Sequence, residues 1–325
     1  MRGTDAERIT VDQRLSPGGE RTLREDVLDG LTRPFKEIPP KHFYDARGSE
    51  LFERICDLPE YYPTRTERSI LAASADCVAQ RTGASELVEL GAGYATKTRI
   101  LIEALAPERF IPVDVSETTV RECAHQLVEE YPWMSVHGLV GDFERHLVHL
   151  PEPSRPRLVA FLGGTIGNFP PGSRRRFLRS IARTLGDDGW LLLGTDLVKD
   201  PRMLEAAYDD ASGVTADFNL NVLRVMNREL GSDFDVDGFD HVAFWDAERE
   251  WIEMRLRSRR RQTVRFPDLD LTVHFAQREE LRTEISAKFT PMRVRGDLAA
   301  AGLELVDWFT DDDDLFALSL ARVAS

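Results

Sequence analysis

Val88-Glu89-Leu90-Gly91-Ala92-Gly93-Tyr94-Ala95-Thr96-Lys97-Thr98 reads as an apolar strand that runs into a glycine turn and out into a helix. Glycines at such a turn let the backbone approach a ligand closely, and the helix that follows offers N–H groups without intrahelical partners. Two glycines in this spacing are weak evidence by themselves. Thr96 stands where a dinucleotide fingerprint carries its third glycine, which argues against NAD.

Working outward, strand-length apolar segments alternate with helical ones. The strands are Leu87–Leu90, Phe110–Val115, Met134–Val140, Leu158–Leu162 and Trp190–Leu197; the helices are Thr96–Leu105, Glu117–Glu130 and Ser173–Leu185. Near-continuous apolar strands separated by helices predict a doubly wound α/β domain, with a mostly parallel sheet covered on both faces. Its ligand belongs beyond the carboxyl ends of the strands. After Lys199 the alternation stops. Met203–Asp210 and Phe218–Leu230 look helical, while Trp251–Arg257, Leu269–Phe275 and Thr283–Phe289 look like strands of an antiparallel insertion. Helix Val294–Ala301 and strands Leu303–Phe309 and Leu315–Ala321 then return as the closing edge of the first sheet.

Toward the N-terminus, residues 1–20 are polar, contain Pro17-Gly18-Gly19 and read as a mobile tail. A short helix over Leu23–Leu31 precedes Pro34, Pro39 and Pro40 and an aromatic, charged stretch, His42–Tyr62. A helical run follows from Thr66 to Ala79. The expected division is a second α+β domain over 21–62 plus 200–286, and the doubly wound domain over 63–199 plus 287–325.

Composition bounds the function. In 325 residues, 42% are hydrophobic and 30% charged, enough apolar material for a sizeable core. The 42 Lys and Arg against 56 Asp and Glu give a net charge of −14, a field that repels nucleic acid and tolerates a cationic small molecule. Apolar runs stay short of a membrane span and the N-terminus is charged, so a soluble, unexported, cytoplasmic chain is expected. Cys56, Cys77 and Cys123 are odd in number and lack CxxC spacing, and the seven histidines show no ligand spacing, so neither disulfides nor a metal is expected.

Acids stand at successive strand ends. Asp114 ends the second strand, where a carboxylate can accept both hydroxyls of a ribose. Gly141-Asp142-Phe143 ends the third, where Asp142 can receive an adenine amino group and Phe143 can cover the ring. With no arginine pair or GxxxxGK lysine to neutralise a pyrophosphate, the pattern suits a nucleoside without phosphate, such as S-adenosylmethionine. An ordinary strand-end loop with capping aspartates fits the same spacing. After the fourth strand, Phe161-Leu162-Gly163-Gly164-Thr165-Ile166-Gly167-Asn168-Phe169-Pro170 presents an amide, Asn168, that can both donate and accept. It also fits a glycine turn with Asn168 left-handed.

Phe43-Tyr44-Asp45-Ala46-Arg47-Gly48-Ser49-Glu50-Leu51-Phe52, Leu58-Pro59-Glu60-Tyr61-Tyr62-Pro63-Thr64-Arg65-Thr66-Glu67, Glu89-Leu90-Gly91-Ala92-Gly93, Gly141-Asp142-Phe143, Gly167-Asn168, Leu193-Gly194-Thr195-Asp196 and Tyr208-Asp209-Asp210 together resemble the L-histidine Nα-methyltransferases of ergothioneine biosynthesis. The resemblance runs from about Leu23 to Ala321. It implies a Rossmann-like methyltransferase domain with a second, substrate-binding domain, and three methyl transfers from S-adenosylmethionine that convert histidine to hercynine. It implies that Gly91, Lys97, Asp114, Asp142 and Phe143 hold the cofactor, with Tyr44 close to both ligands. Tyr61, Asn168 and Tyr208 would bind the substrate's amino and carboxylate groups, and Gly163 would supply a backbone carbonyl. Glu284 and Ser286 would hold the imidazole, with Met254 lining that pocket. Asn168, Tyr61 and Tyr44 are the expected catalytic groups. Gly164 departs from the serine expected there. The implied substrate is free L-histidine; the chain is expected to be a monomer with neither a nucleic-acid nor a membrane partner.

The residues themselves leave more room. Glu284 and Ser286 are two apart on an expected strand, so both leave one face and can meet two ring nitrogens. The glutamate could equally face Arg282 or Lys288 on a strand surface, and the tyrosines could be packing residues. An enzyme for another aromatic amino acid such as tryptophan, or a non-catalytic nucleoside-binding regulator, remain the alternatives.

Overall fold

The structure, a computed structural model, describes residues 8–15, 22–153 and 155–324. In chain order the strands are β1 (Ile9–Gln13), β2 (Lys36–Glu37), β3 (Glu86–Leu90), β4 (Arg109–Asp114), β5 (Ser135–Val140), β6 (Arg157–Phe161), β7 (Trp190–Asp196), β8 (Phe239–Asp246), β9 (Trp251–Ser258), β10 (Gln262–Phe266), β11 (Leu271–Phe275), β12 (Glu280–Ala287), β13 (Leu303–Thr310) and β14 (Phe316–Val323). The helices are α1 (Leu23–Gly30), α2 (Ala46–Cys56), α3 (Pro63–Thr82), α4 (Thr98–Leu105), α5 (Glu117–Glu130), α6 (Phe143–His146), α7 (Pro171–Thr184), α8 (Pro201–Tyr208), α9 (Val214–Leu230) and α10 (Pro291–Ala300). The chain forms two compact units: Met1–Pro17, Arg65–Leu197 and Phe289–Ser325 make one, Gly18–Thr64 and Val198–Lys288 the other.

The first unit is built on an 8-stranded sheet in the order β1-β5-β4-β3-β6-β7-β14-β13. The strands from β1 to β7 run parallel, and β14 and β13 close one edge antiparallel. From β3 the chain winds outward to β4 and β5, then returns to place β6 on the other side of β3. That reversal opens a crevice beyond the carboxyl ends of β3 and β6, where doubly wound sheets bind ligands. The fold class read from the sequence is the one observed. All five residues of β3 are buried, as a central parallel strand requires. Its two acids survive burial by pairing. Glu86 is bonded to Arg109 and to Arg157, which is 1% exposed, while Glu89 takes the Thr98 hydroxyl.

One reading is corrected. Within the stretch 1–20 expected as a mobile tail, Ile9–Gln13 is a strand that pairs in parallel with Val136–Val140. Arg8 anchors it, donating to the carbonyls of Val128 at 2.9 Å and Met134 at 3.1 Å. The remainder of that stretch, 1–7 and 16–20, lies outside the described residues.

The second unit carries a 4-stranded sheet, β2-β12-β9-β8, and the hairpin β10-β11. β12, β9 and β8 are antiparallel neighbours, and β12 carries a register irregularity between Arg282 and Glu284. Asp45 starts α2 by accepting the Gly48 N–H at 2.8 Å. The same carboxylate receives Asn221 and Arg228 of α9, each at 2.8 Å, so one cap also fastens two helices. Phe43 and Phe218 pack with ring centroids 4.6 Å apart beneath them.

Candidate active site

In the first unit, the turn after β3 has the backbone its glycines permit. Gly91 has φ +74° and Gly93 φ +51°, a region costly for other residues. Asp114 closes this turn. One carboxylate oxygen accepts the Gly93 N–H and the other the Ser116 N–H, both at 3.0 Å, so the acid is held beside the glycine loop with lone pairs to spare. Asp142 caps α6 by accepting the Glu144 N–H at 2.8 Å, and its own N–H donates to His146 Nδ1 at 2.9 Å. Phe143 packs on Phe161 at 5.4 Å and Phe177 at 5.6 Å. Its Cε1 lies 3.6 Å from where a Gly91 side chain would begin, so Gly91, Asp114, Asp142 and Phe143 belong to one group of loops at the strand ends. Two carboxylates, open backbone and an aromatic face suit an uncharged nucleoside carrying a cationic tail.

Lys97, the N-cap of α4, is paired with Glu67 of α3. Glu67 is fully buried, and its other oxygen accepts the Gly163 N–H at 2.7 Å. Space for it exists because residue 194 is glycine: a Cβ there would lie 2.2 Å from Glu67 Oε1. In the loop after β6 the left-handed residues are Gly163, φ +77°, and Gly164, φ +67°; Asn168 ends the short helical turn Thr165–Asn168 instead. The reading of Asn168 as a left-handed turn residue is therefore excluded. A serine at 164 would sit in strained backbone.

In the second unit a cavity is lined by Tyr44, Phe52, Tyr61, Tyr208, Phe218, Met254 and Glu284, among others. Met254 lies opposite Glu284 in the β9–β12 pairing and is 2% exposed. The edge of Tyr61 meets Phe52 at 6.2 Å and Tyr208 at 6.3 Å, and Tyr44, 48% exposed, meets Phe52 at 5.6 Å. Burial pushes the Glu284 carboxyl up to about 7, with Lys288 pulling it down. Burial likewise raises the Tyr61 hydroxyl well above its usual value, so it is a neutral phenol at neutral pH.

Ser286 stands behind Tyr208. The Tyr208 hydroxyl donates to Ser286 Oγ at 2.8 Å, and Lys288 Nζ donates to both, at 2.9 Å and 2.8 Å. The Tyr208 carbonyl accepts from His241 Nε2 at 2.8 Å, while Asn219 donates to His241 Nδ1 at 2.8 Å; burial lowers the pKa of this neutral ring.

The structure thus groups the residues expected to bind the ring, Glu284, Ser286 and Met254, with Tyr44, Tyr61 and Tyr208. It groups Gly91, Asp114, Asp142 and Phe143 separately, and joins Lys97 to Gly163 through Glu67. Asn168 lies in the Gly163 loop. Sequence reasoning missed two residues of these sites. Glu67 lies on the apolar face of α3 with Ile70, Leu71, Ser74 and Val78, and an acid on a buried helix face was the available signal. Lys288 continues the alternation of Glu284 and Ser286 and is fully buried, not a surface partner. Among the described residues, no group of three or more His, Cys, Asp or Glu is placed to hold a metal ion, and no helix is long and apolar enough to cross a membrane.

Residues 23–323 match the family of histidine-specific, S-adenosylmethionine-dependent methyltransferases. A histidine N-alpha-methyltransferase of Mycobacterium tuberculosis is 50% identical over 319 residues, covering 97% of this chain and 99% of that one. One from Mycolicibacterium smegmatis is 52% identical over 303 residues, covering 92% and 94%. Ergothioneine biosynthesis protein 1 of Neurospora crassa is 31% identical over 242 residues, 67% of this chain and 27% of that protein. With a family match across nearly all its length and relatives at half identity from end to end, the chain belongs to the histidine-specific, S-adenosylmethionine-dependent methyltransferases.

Proposed function

We propose that this protein methylates the α-amino nitrogen of L-histidine three times to give the betaine hercynine, a step of ergothioneine biosynthesis. The observation that carries the reading is a carboxylate, Glu284, that lines one cavity with three tyrosines and Met254. An imidazole N–H satisfies that carboxylate where an apolar ring would strand it. Gly91, Asp114, Asp142 and Phe143 are the residues proposed to hold S-adenosylmethionine, together with Lys97 and Tyr44. Bound there, that group supplies an electrophilic methyl on a sulfonium.

The attacking amine must be neutral. With an α-amino pKa near 8, about a tenth is neutral at pH 7, an uphill step of roughly 1.4 kcal/mol. That is small beside the roughly 8–23 kcal/mol by which enzymes lower barriers, so no strongly shifted base is needed. Orientation can supply about 7–11 kcal/mol. Asn168, Tyr61 and Tyr44 take that role, with Tyr208 and the Gly163 carbonyl holding the amino-acid backbone. Tyr61, as a phenol, orients rather than deprotonates. Glu284 and Ser286 anchor the ring, which lets the nitrogen turn between rounds without release of the substrate. The chain acts in the cytoplasm as a monomer on a free amino acid, and its charge of −14 disfavours nucleic acid.

The test is incubation of the full chain with isotopically labelled S-adenosylmethionine and a mixture of amino acids, with products identified by mass spectrometry. Labelled hercynine is the expected product. Methylated tryptophan in its place, or no transfer at all, overturns the reading.

A further inference from the structure

The loop after β5, which carries Asp142 and Phe143, is held by a histidine. His146 is the last residue of α6, and its Nδ1 accepts the Asp142 N–H at 2.9 Å. A backbone amide can only donate, so Nδ1 is the bare nitrogen of the ring and the ring hydrogen sits on Nε2. The contact is close enough to dictate its neighbour. A Cβ on residue 141 would lie 3.1 Å from both Cβ and Nδ1 of His146, and a glycine leaves that space. His149 stacks on the ring, with centroids 5.9 Å apart and planes 27° apart.

This bond completes the set of constraints on Asp142. The Gly141 N–H donates to the Asp114 carbonyl at 2.8 Å, which ties the loop to the end of β4. The Asp142 carbonyl accepts the His146 N–H at 2.8 Å, and Asp142 Oδ1 accepts the Glu144 N–H at 2.8 Å. With its own N–H also taken, Asp142 is fixed at its amide, its carbonyl and one carboxylate oxygen, and Oδ2 is left for a ligand's donor. Release of the amide lets the peptide plane before Asp142 turn, and the carboxylate turns with it. In the usual reciprocal cap a glutamate or glutamine reaches back to such an amide. Here an imidazole does so, and no second carboxylate is brought to that amide.

We propose that His146 is a positioning residue for base recognition: by holding the Asp142 amide it aims the Asp142 carboxylate at the exocyclic amino group of the cofactor's adenine, and so sets the preference for a purine that bears this group. A carboxylate accepts from the amino group and is left unpaired by a purine without it, so the preference measures how well the carboxylate is placed. This role rests on the proposed placement of S-adenosylmethionine at Asp142 and adds a residue to it.

The test is titration calorimetry of the full chain with S-adenosylhomocysteine and with its analogue whose base is unsubstituted purine, which lacks the amino group. The unmodified protein should bind the first about 10- to 100-fold more tightly. His146→Leu should weaken S-adenosylhomocysteine about 10-fold and bring the two ligands within about 3-fold of each other. His146→Asn puts Oδ1 where Nδ1 stood, and should return both values to within about 3-fold of the unmodified protein. A ring that only filled space would not be replaced by the smaller amide. Circular dichroism reports that the variants are folded. A folded His146→Leu that keeps both affinity and preference overturns the proposal, as does a His146→Asn no better than His146→Leu. If His146→Leu does not fold, Gly141→Ala decides, because its Cβ presses the ring away from the amide while the imidazole remains. An unaltered preference in that variant overturns the proposal. Equal binding of the two ligands by the unmodified protein removes Asp142 from the base and the proposal with it, a failure of the cofactor placement that is distinguished because it is read before any variant is made.

Discussion

Glu67 and Gly163 are joined by a hydrogen bond of 2.7 Å from the loop's backbone N–H to a fully buried carboxylate whose second oxygen holds Lys97. A single acid on α3 therefore fixes both the start of α4 and the loop after β6. Removing one partner of a buried, charged hydrogen bond costs about 1.5–3 kcal/mol. Glu67→Gln is expected to weaken S-adenosylmethionine binding about 10- to 100-fold, measured by titration calorimetry. Gly194→Ala should reproduce the defect, because its Cβ would occupy the space of Glu67 Oε1. Unchanged affinity in both variants would remove Glu67 from the site.

Glu284→Ala should raise the histidine KM sharply and leave cofactor affinity nearly unchanged. In the proposed role the same carboxyl, pushed up to about 7, must be ionised to accept from the ring. It gains its proton as pH falls through that value, so histidine affinity should drop below pH 7 and level off above pH 8. Steady-state kinetics across pH 6–9 would check both. A KM that is flat with pH would refute the assignment.

Asn168→Ala is expected to depress kcat, with a smaller effect on folding, because its amide is proposed to orient the substrate. Circular dichroism alongside turnover separates the two effects. Full activity without the amide would exclude its orienting role.

Glu89, buried in β3, has its carboxyl raised to about 8 by burial against the help of Thr98. A carboxyl whose folded pKa lies above its unfolded value contributes stability at low pH and loses it as pH rises through the folded value. Between pH 5 and 8 the melting temperature of the unmodified protein should therefore fall relative to Glu89→Gln. Parallel melting curves for the two would contradict this.

His241 behaves in the opposite sense. Its lowered pKa means that the unfolded chain takes up a proton first, near pH 6.5, and stability is lost as pH falls below that. His241→Gln should flatten the stability profile between pH 5 and 6.5 in denaturant titrations, and an unaltered slope would rule the histidine out as the cause.

The parallel sheet was legible because its central strands are buried on both faces, so β3, β4, β6 and β7 read as apolar runs whatever their neighbours. β8 gave no such run. It is an edge strand whose residues after Phe239 are only partly buried, and Phe239–Asp246 mixes acids, histidine and aromatics accordingly. β1 is likewise an edge strand of five residues in a polar stretch. At the sites, strand-end acids and proline-framed tyrosines could be read from position. Glu67 and Lys288 could not, because a charge quenched by partners distant in sequence looks like any solvated charge until those partners are known.

Strand β14 lies between β7 and β13, although it follows both in sequence. Until Phe316–Val323 emerges from the ribosome, β7 presents a bare row of amide and carbonyl groups, and the whole of Val198–Lys288 is made during that interval. An open, apolar sheet border is a template for wrong pairing. Production of this protein should therefore be sensitive to chaperone supply and to stalls late in translation, and a nascent chain halted before Phe316 should be the species that aggregates.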